Sequence, residues 1–77
     1  MTSLANLKPG QKATITAIDG QDALSQRLME MGLIPGQEVQ LLGIAPWGDP
    51  LEIWLQSYRL SVRKAEARRV LVQDIRD

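Results

Sequence analysis

The hydrophobic positions follow two rhythms, and glycine or proline marks each change between them. "KATITAI" (Lys12–Ile18) is β-branched and partly alternating, which predicts a strand. Asp19-Gly20 breaks it. In "DALSQRLMEM" (Asp22–Met31) the period changes, with Leu24, Leu28 and Met31 at i, i+4 and i+7 on one helical stripe. Asp22 suits the N-cap or first turn and Gly32 the left-handed position that closes a helix, with Leu33 packing back on the last turn. So short a helix is marginal alone in water and must dock on the rest of the chain.

Four segments follow. "QEVQLLGIA" (Gln37–Ala45) reads as a strand with a bulge or bend at Gly43, and "PWGDP" (Pro46–Pro50) as a tight connection. "LEIWLQ" (Leu51–Gln56) alternates, placing Leu51, Ile53 and Leu55 on one face and Trp54 on the other. "RLSVR" (Arg59–Arg63) turns Leu60 and Val62 inward, "KAEARR" (Lys64–Arg69) makes one helical turn, and "VLVQDI" (Val70–Ile75) is a last strand. One phrase occurs twice, as "LKPGQKATI" (Leu7–Ile15) and "LIPGQEVQL" (Leu33–Leu41). Each Pro-Gly pair suits the centre of a type II turn, so the phrase reads as the launch of two strands.

Five short strands in 77 residues cannot build two sheets with separate cores. The expected fold is mainly β: a small barrel of about five strands, with a short inserted α-helix and one helical turn before the last strand. Closure removes most exposed edges. The expected core is Ala13, Ile15, Ile18, Val39, Leu41, Leu51, Ile53, Leu55, Leu60, Val62, Val70 and Val72, with Leu24 and Leu28 plugging one end. A chain of this length buries only roughly 60% of its unfolded surface, and residues 1–77 are expected to form one domain.

Composition narrows the chemistry. Cysteine and histidine are absent, which removes disulfides, the thiolate nucleophile, the usual base near neutral pH and the usual ferrous or zinc ligands. The carboxylates lack the dense spacing of a calcium loop, the serines have no activating partner in sequence, and no GxxxxGK[ST] loop is present. The expectation is a chain that is not an enzyme and carries no cofactor and no metal site. No apolar run approaches the ~20 residues of a membrane span, and "MTSLANLKPG" lacks the pattern of a signal peptide, so a cytoplasmic location without membrane insertion is expected.

Net charge is zero, which disfavours nucleic acid as partner. Residues 1–57 nevertheless carry a net −3 and residues 58–77 a net +3. The two readings are a solvated surface or a basic patch that meets an acidic partner. Trp47, Trp54 and Tyr58, in a chain without phenylalanine, point to an outward apolar patch of the kind used for a partner or for self-association.

The run "RLMEMGLIPGQEVQLLGIAPWGDPLEIWLQSYRLSVRKAEARRVLV" (Arg27–Val72), preceded by "LKPGQKATITAIDG", resembles the FeoA family. The marks are Arg27-Leu28, Met31-Gly32-Leu33, Pro35-Gly36, Ala45-Pro46, Gly48-Asp49-Pro50, Leu60 to Arg63, and Glu66-Ala67. Ser57-Tyr58 stands where the family often has a glycine-containing turn, which leaves the hairpin geometry there open. The resemblance implies an SH3-like barrel and a cytosolic accessory of bacterial ferrous iron uptake. That accessory would associate with FeoB, a membrane transporter with a GTP-binding domain, and could modulate its GTPase. The alternatives are a small nucleic-acid-binding barrel or an iron-responsive regulatory module, since the same fold forms a domain of iron-dependent repressors. The expected partner surface combines Trp47, Trp54 and Tyr58 with the helix exit (Met31, Leu33 and Ile34) and with Arg27, Arg59 and Arg63. These arginines are candidates by residue type for the catalytic arginine that an activating protein supplies to a GTPase.

Overall fold

A computed structural model describes residues 2–77. Its order is a 3-10 turn Leu4–Asn6, β1 Lys12–Ile18, α1 Ala23–Glu30, β2 Glu38–Ile44, β3 Leu51–Leu55, β4 Tyr58–Val62, α2 Lys64–Ala67 and β5 Val70–Arg76. The strands form one antiparallel sheet in the order β4-β3-β2-β1-β5.

The repeated phrase does more than start two strands. Gly10 and Gly36 both take positive φ (95° and 92°), and each turn closes on its own backbone bond, Gln11 N to Lys8 O at 2.9 Å and Gln37 N to Ile34 O at 3.2 Å. Each turn then bonds the other repeat. Gly10 N donates to Leu41 O (2.7 Å) and Leu41 N to Gln11 O (3.0 Å), while Gly36 N donates to Ile15 O (2.7 Å) and Ile15 N to Gln37 O (2.9 Å). Ala13 pairs with Val39, its counterpart in the repeat. The two phrases therefore face each other about a local two-fold at the centre of the β1–β2 pairing. Their leading residues, Leu7 and Leu33, are both buried.

The core holds Leu4, Leu7, Ala13, Ile15, Leu28, Leu33, Val39, Leu41, Leu51, Ile53, Leu55, Val62, Ala67, Val70 and Val72. Ile18, Leu24 and Leu60, expected inside, are only partly buried against it, because Ile18 ends β1 and Leu60 lies on an outer strand. Leu4 and Leu7 were not expected there. They enter because Thr2 O accepts from Val72 N at 3.0 Å and Ser3 bridges Leu71, so the N-terminal segment lies along the free side of β5. Ser3 N donates to Asn6 Oδ1 at 2.8 Å and bends the chain inward there.

The sheet is barrel-like but not closed: among the described residues β4 and β5 do not pair. Helix α1 is tied to both sides of that gap. Arg69, just before β5, meets Asp22 at 2.6 Å; Glu66 of α2 meets Arg27 at 2.5 Å; and Tyr58 Oη, at the start of β4, donates to Met31 O at 2.5 Å. Glu66 also accepts from Arg63 N at 2.8 Å, so one carboxylate caps α2 and holds α1. The expected barrel is thus present as a barrel-like sheet that stays open, with α1 tied to both of its edges.

Candidate functional site

The helix exit is built by local backbone chemistry. Asp22 caps α1 by accepting from Ser25 N at 3.1 Å, satisfying one of the free N–H groups of the first turn. The Arg69 guanidinium, seconded by that Ser25 N–H, holds the Asp22 carboxyl well below the usual range, and the same pairing raises Arg69. At the other end Gly32 N donates to Met29 O (3.0 Å) and Leu33 N to Leu28 O (3.1 Å), the paired closure of a Schellman motif. Gly32 has φ +103°, and a Cβ there would stand 2.6 Å from Tyr58 Oη and 3.2 Å from Leu55 Cδ2. Met31 and Tyr58 are therefore brought together, with Ile34 exposed just beyond them.

Two of the expected partner residues change character here. Leu33 is fully buried, because its place in the repeat makes it a core residue, and it has no surface to offer a partner. The Arg27 guanidinium, although its side chain is 61% exposed, is held by Glu66. Its first role is to pin α1.

Trp47, Trp54 and Arg59 lie elsewhere, on and beside the outer face of the sheet. Gln40, Trp54 and Arg59 stand in one row across β2, β3 and β4, with Glu52 and Ser61 paired in the next. Arg59 meets Glu52 at 3.1 Å and the Ser61 hydroxyl donates to the same carboxylate. Ser61 first, then Arg59, lower the Glu52 carboxyl, which makes it a weaker base at neutral pH. On one side of Trp54 is a polar cleft of about 200 Å³ lined by Lys12, Gln37, Glu38, Gln40, Trp54 and Gln56. Beside Arg59 is an apolar groove of about 330 Å³, walled by Leu42, Ile44, Ala45 and Pro50 with Gly43 and Glu52.

Trp47 projects at the tip of the Ala45–Pro50 loop and is 94% exposed. The loop is nonetheless built: Gly48 N donates to Ala45 O (2.8 Å), Ala45 N to Pro50 O (3.1 Å) and Lys64 N to Asp49 Oδ1 (3.0 Å). Arg63 is exposed at the N-cap of α2. The expected surface therefore divides into a helix-exit group (Met31, Ile34, Tyr58) and a sheet-face group (Trp47, Trp54, Arg59).

Leu42 and Ile44 belong to the second group and were missed. The signal was present in "QLLGI": once Val39 and Leu41 face inward, aliphatics at 42 and 44 occupy positions that a one-sided strand fills with polar residues. A register shift between Leu41 and Gly43 falls at the same place in β2.

The charge asymmetry is partly spent internally. The acids Asp22, Glu38 and Glu52 of the first 57 residues pair with Arg69, Arg76 and Arg59, and Arg27 pairs with Glu66. Among the described residues no group of three or more carboxylates gathers as a metal site, and no helix is long and apolar enough to cross a membrane.

The sequence pattern of the FeoA domain matches residues 2–74. A curated relative, the Fe(2+) transport protein A/Fe(2+) transporter FeoB fusion protein of Porphyromonas gingivalis, is 29% identical over 70 residues. Those residues are 91% of this chain and 8% of that protein, so the chain spans a small part of the relative it matches. Among solved structures, the FeoA-like protein of Clostridium acetobutylicum superposes with a TM-score of 0.87 at 34% identity, covering 95% of this chain and 88% of that one. The FeoA of Chlorobium tepidum gives 0.84 and 35%, over 92% and 68%. The FeoA of Stenotrophomonas maltophilia, described in complex with zinc as a prokaryotic SH3 domain protein and a candidate activating factor for ferrous iron transport, gives 0.83 and 30%, over 95% and 91%. A manganese-dependent transcriptional repressor superposes at 0.85 with 12% identity, which shows a shared fold alone.

Proposed function

The chain belongs to the FeoA family, and from that premise we propose that it is a non-enzymatic accessory of ferrous iron uptake that docks on the cytosolic region of a FeoB-type transporter. The observation that carries this reading is the Porphyromonas gingivalis relative, in which a domain of this kind and the transporter share one polypeptide. A covalent link holds two modules at a high effective concentration, which favours direct contact between a domain of this kind and the transporter. The sheet-face group supplies such a surface, since exposed tryptophan and arginine are the residues that anchor interfaces.

The test is co-purification of the chain with full-length FeoB, comparing Trp47→Ala and Trp54→Ala. Loss of capture in a folded variant supports the docking face; undiminished capture by both variants overturns its placement. GTP turnover by FeoB, measured with and without the chain, tests the regulatory role. A change in turnover that survives Arg59→Ala and Arg63→Ala argues against a supplied arginine and for action through docking.

A further inference from the structure

The two edges of the open sheet are finished differently. On β5, Val72 N donates to Thr2 O at 3.0 Å and Ser3 bridges Leu71, so the N-terminal segment covers that edge. No segment pairs with the outer side of β4. A two-residue turn, Gln56-Ser57, joins β4 to β3 and makes Leu55–Tyr58 the first hydrogen-bonded pair of their ladder. Alternation then makes Ile53–Leu60 and Leu51–Val62 the other bonded pairs, and it turns the N–H and C=O of Arg59 and Ser61 away from β3. Among the described residues these two donors and two acceptors meet no partner. Helix α1 bonds to Tyr58 on one side of them and to Glu66 on the other.

Side chains agree with the backbone. Leu60, on the core side of β4, is only partly covered, because no strand lies beyond it. Natural sheets blunt such an edge with a proline, a bulge or a covering segment. β4 contains no proline and pairs with β3 without a register shift. We propose that the free edge of β4 takes an extended segment of the partner as an added strand, bonded through the main chain of Arg59 and Ser61. The proposal rests on the docking reading and specifies which element of the FeoB-type transporter is held. Donor–acceptor pairs two residues apart, about 7 Å, match an extended backbone, whereas a helix satisfies its own N–H and C=O groups internally. The added strand is apolar at the positions that cover Leu60 and polar at the alternate ones beside Arg59, as main-chain recognition with side-chain selection requires. Because Arg59 pairs with Trp54, that strand lies next to the sheet-face group, and both contacts engage one partner.

Proline tests the edge, since it removes an N–H and is tolerated where that N–H faces outward from an edge strand. Capture of full-length FeoB by Ser61→Pro is compared with capture by Ser61→Ala, which removes the same hydroxyl and keeps the N–H. Ser61→Pro should bind about tenfold more weakly than Ser61→Ala, with circular dichroism checking that both are folded. Hydrogen exchange on the unaltered chain gives a second readout that needs no variant. Amides within residues 58–62 should exchange more slowly in the complex with FeoB than in the free chain. Equal capture by the two variants, or unchanged exchange in 58–62, overturns the proposal while leaving FeoB docking in place. Protection of 58–62 that rises with the chain's own concentration, without FeoB, assigns the edge to a second copy and also overturns it. Failure of the unaltered chain to capture FeoB overturns the docking reading itself, and this proposal with it.

Discussion

Replacing Gly32 by alanine measures how firmly the exit of α1 is clamped. Gly32 has φ +103°, a conformation in which a side chain crowds the following carbonyl at a cost of about 1–2 kcal/mol. The new methyl would also stand 2.6 Å from Tyr58 Oη and 3.2 Å from the buried Leu55. Relief of that contact displaces the hydroxyl from Met31 O, and losing a hydrogen bond of this kind costs about 0.5–1.5 kcal/mol net. Together these give a destabilisation of about 1.5–3.5 kcal/mol, a large share of the roughly 4–12 kcal/mol expected for a chain of this length.

Gly36 supplies the control. It has φ +92° but nothing within 4 Å of a built Cβ, so Gly36→Ala should carry only the backbone cost of about 1–2 kcal/mol. Urea unfolding of both variants, each in the native and the Tyr58→Phe background, separates the two costs. Without the hydroxyl, Gly32→Ala should fall toward the Gly36→Ala value. Equal losses for the two glycines in the native background, within about 0.5 kcal/mol, would refute the idea that Tyr58 holds the helix exit.

Two further outcomes follow from the same packing. Leu7→Ala and Leu33→Ala should each lose about 2–5 kcal/mol in urea unfolding, because both repeat-leading leucines are buried. The folded pKa of Asp22 is depressed, so its pairing contributes stability above the unfolded value of about 3.9 and loses it as pH falls from there toward the folded value. Wild type should therefore lead Asp22→Asn in urea midpoint at pH 6, and the lead should shrink steadily below about pH 4.

The strands, the helix and the Pro-Gly turns were legible because each is written in local chemistry: alternation, a 3.6 period, and glycine where φ must be positive. The two-residue turn at Gln56-Ser57 was not, since it works with a non-glycine at positive φ (Gln56, 56°) and owes its place to the Leu55–Tyr58 pairing. Leu4 and Leu7 were missed for a different reason. Their burial depends on Thr2 and Ser3 reaching β5, a pairing some 70 residues away in sequence that no local pattern encodes. Leu33 shows the opposite failure: expected both to pack back on the helix's last turn and to join the partner surface, it is fully buried, as its place at the head of the repeated phrase requires. The surface itself was only half legible. Tryptophans announce a patch by type, but which residues share it depends on the tertiary packing that leaves Leu42 and Ile44 exposed.

Because four acid–base pairs take up part of the charge internally, recognition at the Trp47 face should be carried by apolar area, and salt tests that division. Raising ionic strength from about 0.1 M to about 1 M shortens the screening length from about 10 Å to about 3 Å, which weakens attraction between exposed charges on separate molecules. A contact made by Trp47, Leu42, Ile44 and Pro50 has no such dependence, and only the flanking Arg59 would feel the salt. Capture of FeoB measured at the two ionic strengths should therefore differ little, while a basic patch meeting an acidic surface would lose most of its affinity. A steep decline with salt would mean that charge, not the tryptophan, brings the partner to this face.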